Sequence, residues 1–376
     1  MSVLNKCLVC LCRNQGRLFP FFVTRMASLS NVAARKLEGK VAVVTGSTDG
    51  IGLAIARRLA EDGAQVVVSS RRQENVDRAV KTLTSENLDV SGMICHIGNA
   101  EQREHLLATT AERHGGIDIL VQNAGVNPHV GPMLETTESQ WEKVFHINVH
   151  STFFLTKKAI PYMEARGGGS ILYMASITAY VPFQLFGAYS ISKTALVGLT
   201  KALAPPLAER NIRVNCLAPG IIKTKFTSFI TDDDGMLHNY GLSKTPMKRF
   251  GEPSDCAGAA AFLCSDDASF ITGETIVIAG GIDSRLLLGL TKALVPQLTE
   301  KNIRVNCIAP GIFKTRFANV ITSNDTLHNL GLSRTPMKRF AEPSECAGAA
   351  SFLCSDDASF ITGETVVVAG GMDSRL

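Results

Sequence analysis

The chain runs to 376 residues; 45% are hydrophobic, and 38 Lys and Arg stand against 34 Asp and Glu for a formal net charge of +4. That size and polarity suit one large α/β domain with a real core, plus additional chain. Residues 1–36 carry Lys6, Arg13, Arg17, Arg25, Arg35 and Lys36 and no acid, so the remainder is close to neutral, which argues against a nucleic-acid surface; with no apolar run of roughly eighteen residues, no membrane span is expected.

The acid-free N-terminal extension, 1–36, resembles a mitochondrial presequence, with a plain extension and a start at Met26-Ala27-Ser28 as the alternatives. Cys7-x-x-Cys10 has no second pair and no nearby His, so no metal site is expected there. Leu37 to Thr45 reads as a first strand. Thr45-Gly46-Ser47-Thr48-Asp49-Gly50-Ile51-Gly52 follows, then a helical pattern through Ala60. Strand, Gly-rich turn and helix together make a phosphate site: glycines let the backbone approach a pyrophosphate, and a helix N-terminus favours the anion. Gln65–Ser69 is the second strand. A carboxylate at its end would select NAD; the chain has Ser70, Arg71 and Arg72 instead, and arginine pairs with a 2′-phosphate, so NADP(H) is the expected cofactor. The plain alternative is two arginines opening a solvated helix face.

The alternation continues. Val90–Ile97 reads as a strand, 101–114 as a helix and Ile117–Val121 as a strand ending at Gln122-Asn123-Ala124-Gly125. Helical segments are expected from Glu138 to Arg166, closed by Gly167-Gly168-Gly169. The apolar run Ile171–Ala175 is a buried strand with Ser176 at its C-terminal end. Repeated βα units imply a Rossmann-like, doubly wound parallel sheet in a single domain, 37–286. Tyr189 and Lys193, four apart, share one helix face. A lysine ammonium beside a phenol favours the phenolate, so the Tyr189 pKa is expected to fall toward neutrality and make it a general acid or base. His96, His114, His129, His146 and His150 lack metal spacing. Cys95, Cys216, Cys256, Cys264, Cys307, Cys346 and Cys354 read as small buried hydrophobes.

These motifs, with Asn148, Asn215 and Pro219-Gly220-x-x-x-Thr224, resemble the short-chain dehydrogenase/reductase family from about 37 to 286, and within it the peroxisomal NADPH-dependent carbonyl reductases. The resemblance implies that Tyr189 donates a proton to a substrate carbonyl, Lys193 lowers its pKa and bonds the nicotinamide ribose, Ser176 polarises the carbonyl, and Asn148 holds a water in a proton relay. It implies cofactor contacts from Gly46, Ser47, Gly50, Ile51, Gly52, Ser70, Arg71, Arg72, Asn123, Tyr189, Lys193, Pro219, Gly220, Ile222 and Thr224. The expected substrates are aromatic ketones, α-dicarbonyls and retinal, beneath a cap from Lys225 to Pro253. The alternatives are a cofactor-binding but catalytically impaired protein, and a mitochondrial 3-oxoacyl or steroid reductase. Three departures stand out: Gln122 in place of Asn, His96 in place of an adenine-contacting Asp, and Pro205-Pro206, which should kink or end the helix after Lys193.

Residues 287–376 repeat residues 196–286. Leu199-Thr-Lys-Ala-Leu203 recurs as Leu290–Leu294, Asn211–Cys216 as Asn302–Cys307 and Thr245–Phe250 as Thr335–Phe340, at an offset of 91 falling to 90. The second copy lacks the Ser, Tyr, Lys and Gly-rich loop, so it is no second enzyme. The first copy begins inside the Tyr189 helix and has the advantage in completing the sheet, although Val366–Ala369 could compete with Ile276–Ala279. The surplus copy is expected to pack against a sheet edge or to be poorly ordered, and to block or alter a homotetramer that the resemblance implies. Ser374-Arg375-Leu376 resembles the Ser-Lys-Leu address. It implies a peroxisomal import receptor as partner and the peroxisome as location, with the mitochondrion as alternative.

Overall fold

The structure, a computed structural model, describes residues 35–183, 185–232, 235–282, 291, 295–296, 298–315 and 318–372. The N-terminal extension up to residue 34 and the tripeptides Ser284-Arg285-Leu286 and Ser374-Arg375-Leu376 lie outside the described residues. Seven strands, β1 (Val41–Thr45), β2 (Gln65–Ser70), β3 (Val90–Ile94), β4 (Ile119–Gln122), β5 (Gly169–Met174), β6 (Ile212–Pro219) and β7 (Thr275–Ile278), form one parallel sheet in the order β3-β2-β1-β4-β5-β6-β7. The strands other than β3 are buried on both faces; β3, at the edge, buries only Val90 and leaves Ile94 exposed. β1 sends Ala42 and Val44 to one core and Val43 to the other, the period-two alternation of a pleated strand.

Helices α1 (Gly50–Glu61), α2 (Gln73–Ser85) and α9 (Pro253–Cys264) cover the first face, with Ile55, Leu59, Leu83 and Leu263 in its core. Helices α3 (Ala100–His114), α4 (Glu138–Phe145), α5 (Ser151–Ala165) and α6 (Gly187–Ala208) lie on the other side, where Leu106, Leu155, Met163, Leu196 and Leu207 pack. The strand order reverses between β1 and β4, which opens a crevice at the strands' C-terminal ends. Two short helices, α7 (Ser228–Thr231) and α8 (Met236–Lys244), follow β6.

Helical segments cover 138–165 as expected: α4 and α5 are joined by a π-helical turn, His146–His150, which carries Asn148. One expectation about helices changes. The prolines do not shorten α6, which runs through Pro205 and Pro206 to Ala208. They sit in its last turn, where the carbonyls they leave unpaired belong to exposed Lys201 and Ala202 and face water.

The C-terminal segment forms its own two-stranded parallel sheet, β8 (Cys307–Pro310) and β9 (Thr365–Val368), with α10 (Asn319–Thr322), α11 (Asp325–Arg334) and α12 (Pro343–Cys354). In the main sheet Asn215 donates to Ile271 O at 2.8 Å and accepts from Glu274 N at 3.1 Å; Asn306 does the same with Ile361 O and Glu364 N at 2.9 and 3.0 Å. β6 and β7 complete the large sheet, so the earlier copy of this sequence takes that place. The later one adds no strand. It lies on α9, and at the outer edge of β7 its Glu364 carboxylate accepts from Val277 N at 3.1 Å. With no β5 or α1 of its own to cover it, α12 buries only Ala349, Phe352 and Leu353, whereas α9 buries ten residues. For the same reason Cys354 is exposed and Cys307 and Cys346 are partly exposed, against the reading of all these cysteines as buried; Cys95, Cys216, Cys256 and Cys264 are buried.

Candidate active site

The turn after β1 is held from three sides. Gly46 and Gly50 adopt φ of +61° and +54°, the left-handed region that glycine enters without strain. Asp49 caps α1, its carboxylate accepting from Gly50 N at 2.8 Å, and it pairs with Lys225 at 2.5 Å, which holds its carboxyl below the usual range. Asn123, at the end of β4, donates through Nδ2 to Thr45 O at 3.2 Å and Gly46 O at 2.8 Å. Its own amide donates to Thr45 Oγ1 at 3.1 Å. Ser47 is fully buried: its hydroxyl donates to Val44 O at 2.6 Å and accepts from Ser69 N at 3.0 Å. It ties the turn to β2 and lines neither of the cavities described next.

Two cavities adjoin along the crevice and share Asp49, Asn123 and Gly125 as walls. One, of about 420 Å³, is bordered by Gly46, Ser70, Arg71, Cys95 and His96. The other, of about 300 Å³, is bordered by Gly50, Ile51, Ser176, Tyr189, Lys193, Pro219, Gly220, Ile222 and Thr224. Of the expected cofactor positions, Ser47, Gly52 and Arg72 border neither; Gly52 acts by being small, since a Cβ there would lie 2.4 Å from both Asn123 Nδ2 and Gly46 O. Thr224 packs on the Gly-rich turn, its Cγ2 3.3 Å from where a Gly50 Cβ would be. Main-chain glycines at the helix N-terminus, the paired cavities and an arginine at the β2 end fit a dinucleotide phosphate.

Around the second cavity α6 turns Tyr189 and Lys193 inward, with Lys193 Nζ 5.3 Å from the phenol ring centroid. Ser176 caps the 3-10 turn Ile177–Ala179 and accepts from Thr178 N at 3.2 Å and Thr178 Oγ1 at 3.0 Å. Asn148 accepts from Val126 N at 2.8 Å and donates to Val126 O and to Ser192 Oγ, each at 3.0 Å. A Cβ on Gly125 would lie 3.4 Å from both Asn148 Oδ1 and Lys193 Nζ, so these groups adjoin the same corner.

The expected fall in the Tyr189 pKa does not occur. Burial pushes the phenol up to about 12, opposed by the Ser176 hydroxyl, and burial pushes Lys193 down to about 8. The reason is geometric as well as dielectric: the lysine ammonium donates to Met174 O at 2.6 Å, and the phenol is crowded by Phe226 and Phe186, at 5.5 and 6.3 Å between rings. Both Phe186 and Phe226 line the cavity and went unremarked in the sequence, as did the Asp49–Lys225 pair. Among the described residues of the expected cap, Lys225, Phe226, Thr227 and Ile230 reach the cavity wall. Gln122 points away from the cleft and donates to Thr156 Oγ1 at 2.7 Å, inside a buried network with Tyr173.

A family model described as Enoyl-(Acyl carrier protein) reductase matches residues 46–283 and 285–373. Dehydrogenase/reductase SDR family member 4 of Sus scrofa is 57% identical over 262 residues, covering 70% of this chain and 94% of the relative. Among solved structures, the gluconate 5-dehydrogenase of Burkholderia cenocepacia J2315 in complex with NADP and tartrate is 29% identical, with a TM-score of 0.64 over 67% of this chain and 98% of that one. A 7α-hydroxysteroid dehydrogenase complexed with NADH and 7-oxo glycochenodeoxycholic acid is 33% identical, with a TM-score of 0.64 over 69% of this chain and all of that one. Among the described residues no helix is long and apolar enough to cross a membrane.

Proposed function

The chain belongs to the short-chain dehydrogenase/reductase family, and from that premise we propose that residues 37–286 form an NADP(H)-dependent reductase of ketones and aldehydes. The observation that carries this reading is the meeting of Tyr189, Lys193 and Ser176 on the wall of one cavity with Gly50, Ile51 and Thr224. A nicotinamide cofactor bound along the crevice supplies the hydride. Tyr189 donates its proton to the carbonyl oxygen, and Ser176 Oγ donates a hydrogen bond to the same oxygen as negative charge develops there. Lys193 keeps a positive charge beside the phenol, and Asn148 fixes the turn through which a water returns the proton. Phe186 and Phe226 favour substrates with an aromatic ring beside the carbonyl, hence aromatic ketones before α-dicarbonyls and retinal. Among the described residues, none of the C-terminal segment borders either cavity, which supports an open, competent cleft over a disabled one. The likeness of Ser374-Arg375-Leu376 to the Ser-Lys-Leu address supports the peroxisome as location and its import receptor as partner, with the mitochondrion as the alternative on account of the basic N-terminus.

The test is NADPH oxidation by the full chain with a simple aromatic ketone. Turnover is expected; bound NADPH without turnover on aromatic, dicarbonyl or retinal substrates would move the protein to the impaired reading. The pH profile carries a sign. Reduction needs Tyr189 protonated and Lys193 charged, so the limb is set by the lower value, Lys193 near 8. kcat/KM is level below that pH and falls about tenfold per unit above it. Lys193→Arg moves the fall upward; a limb that stays in place excludes Lys193 as its source.

The choice of NADPH rests on Arg71, which borders the first cavity. Arg71→Ala is expected to weaken NADPH binding by about tenfold to a hundredfold, the value of a charge-assisted hydrogen bond, and to leave NADH binding alone. Equal losses for both in a fluorescence titration would remove the 2′-phosphate role.

A further inference from the structure

Ser176 lines the cavity beside Tyr189 and Lys193, and the acceptor side of its hydroxyl is already taken. A serine hydroxyl has one proton to donate and two lone pairs with which to accept. Ser176 Oγ accepts from Thr178 N at 3.2 Å and from Thr178 Oγ1 at 3.0 Å, so one residue fills both lone pairs. The Ser176 proton is left with the remaining direction around the oxygen. A hydroxyl filled in this way is a donor only. That is the polarity required beside a carbonyl oxygen that gains negative charge, whereas a freely turning hydroxyl would present a lone pair to it part of the time.

Thr178 is itself held in place. It is the middle residue of the 3-10 turn Ile177–Ala179, for which Ser176 is the N-cap. Ala179 N donates to Ser176 O and Tyr180 N to Ile177 O, each at 3.0 Å. From α6, Thr194 Oγ1 donates to Ala179 O at 2.9 Å. Thr194 follows Lys193, so the turn is fastened to the helix that carries Tyr189 and Lys193. A threonine is also stiff about χ1, and its hydroxyl keeps a fixed bearing on Ser176.

We infer that Thr178 is a positioning residue: its amide and hydroxyl saturate Ser176 Oγ and aim the Ser176 proton into the cavity, at the oxygen that Tyr189 protonates. The inference rests on the reading of Ser176 as the donor that polarises the carbonyl, and adds to it the group that fixes the direction of that donation. Because hydrogen bonds in a chain polarise one another, the bond that Thr178 gives also strengthens the one that Ser176 gives. The opposite arrangement, with Ser176 donating to Thr178, predicts the opposite sign: removing the Thr178 hydroxyl would release the proton and speed reduction.

The test uses the full chain with NADPH and the aromatic ketone. Thr178→Val keeps the branched shape and the backbone amide and removes the hydroxyl; Thr178→Ser restores it. Thr178→Val is expected to lower kcat about tenfold, with KM and NADPH binding unchanged, and Thr178→Ser to retain more than about half the rate. Ser176→Ala loses about a hundredfold, and adding Thr178→Val to it costs nothing further. A Thr178→Val variant as fast as the unaltered chain, or faster, overturns the inference. So does a loss of the same size when Ser176 is absent, because Thr178 would then act on its own. No turnover by the unaltered chain on any carbonyl class would fail the reductase reading, and a second readout, which needs no substrate, then decides the role of Thr178. The Ser176 hydroxyl acts on the Tyr189 phenol in the empty cavity. With tyrosine isotope-labelled at Cζ, the Tyr189 NMR signal is identified by its loss in Tyr189→Phe. Thr178→Val and Ser176→Ala are expected to move that signal in the same direction; a signal that Thr178→Val leaves in place overturns the inference.

Discussion

Tyr189→Phe lowers the rate of carbonyl reduction by about a thousandfold while NADPH remains bound, within the range that a positioned general acid contributes. The substitution removes one oxygen and leaves the ring against Phe226 and Phe186, so packing around the cavity is retained. Because burial holds the phenol near 12 and thus protonated at neutral pH, the group is set to donate in the direction of reduction. Removing it loses the donor itself rather than a fraction in the right form. The measurement is kcat with the aromatic ketone beside the NADPH dissociation constant. A variant retaining more than about a tenth of the wild-type rate would show that another group, or water, protonates the product, and the role of Tyr189 would be withdrawn.

The second large effect is at Gly52. A Cβ there would lie 2.4 Å from Asn123 Nδ2 and from Gly46 O and 2.9 Å from Ser47 Cα, and two of these neighbours are backbone that cannot swing aside. Gly52→Ala therefore drives Asn123 off the turn and breaks its bonds to Thr45 O and Gly46 O. Two partly buried hydrogen bonds at about 1–2 kcal/mol each correspond to NADPH binding weaker by about a hundredfold, together with a lower melting temperature. Gly198→Ala is the control: it lies in α6 with nothing within 4 Å of its added Cβ, and helix propensity alone predicts a gain of up to about 1 kcal/mol with unchanged binding. Equal behaviour of the two variants would mean that the turn tolerates displacement and does not set the cofactor site.

What could be read from the sequence was whatever depends on spacing along one element. The Gly46–Gly52 turn, the Ser176 strand end and the Tyr189–Lys193 pair are each local, and the structure brings them to one crevice. Quantities set by elements distant in sequence were not legible. The direction of the Tyr189 shift depends on Phe226, on the far side of β6, and on Lys193 finding the Met174 carbonyl. Arg72 stands beside Arg71 in sequence, yet only Arg71 borders the crevice; Arg72 occupies the N-terminal boundary position of α2, where its side chain makes no capping hydrogen bond. Pro205 and Pro206 were read as breakers by residue type, and their harmlessness follows from where the helix ends. The exposure of Cys354 against the burial of Cys264 shows the same limit: matching sequences take different environments when only one of them has a sheet to join.

The two-stranded sheet of β8 and β9 has a consequence for how the molecule is made. Val305-Asn-Cys-Ile-Ala-Pro310 differs from Val214-Asn-Cys-Leu-Ala-Pro219 at one position, so both stretches carry nearly the same instructions for lying beside β5. On a ribosome the chain emerges from its N-terminus at about 5–20 residues per second. The earlier stretch meets β5 seconds before the later one exists, and the later one finds the berth taken and a matching face on α9 to settle against. A chain diluted out of denaturant has no such precedence: both stretches compete at once, separated by the modest loop cost of the longer route and by the first copy's continuity with α6. The order of synthesis thus contributes to which arrangement forms.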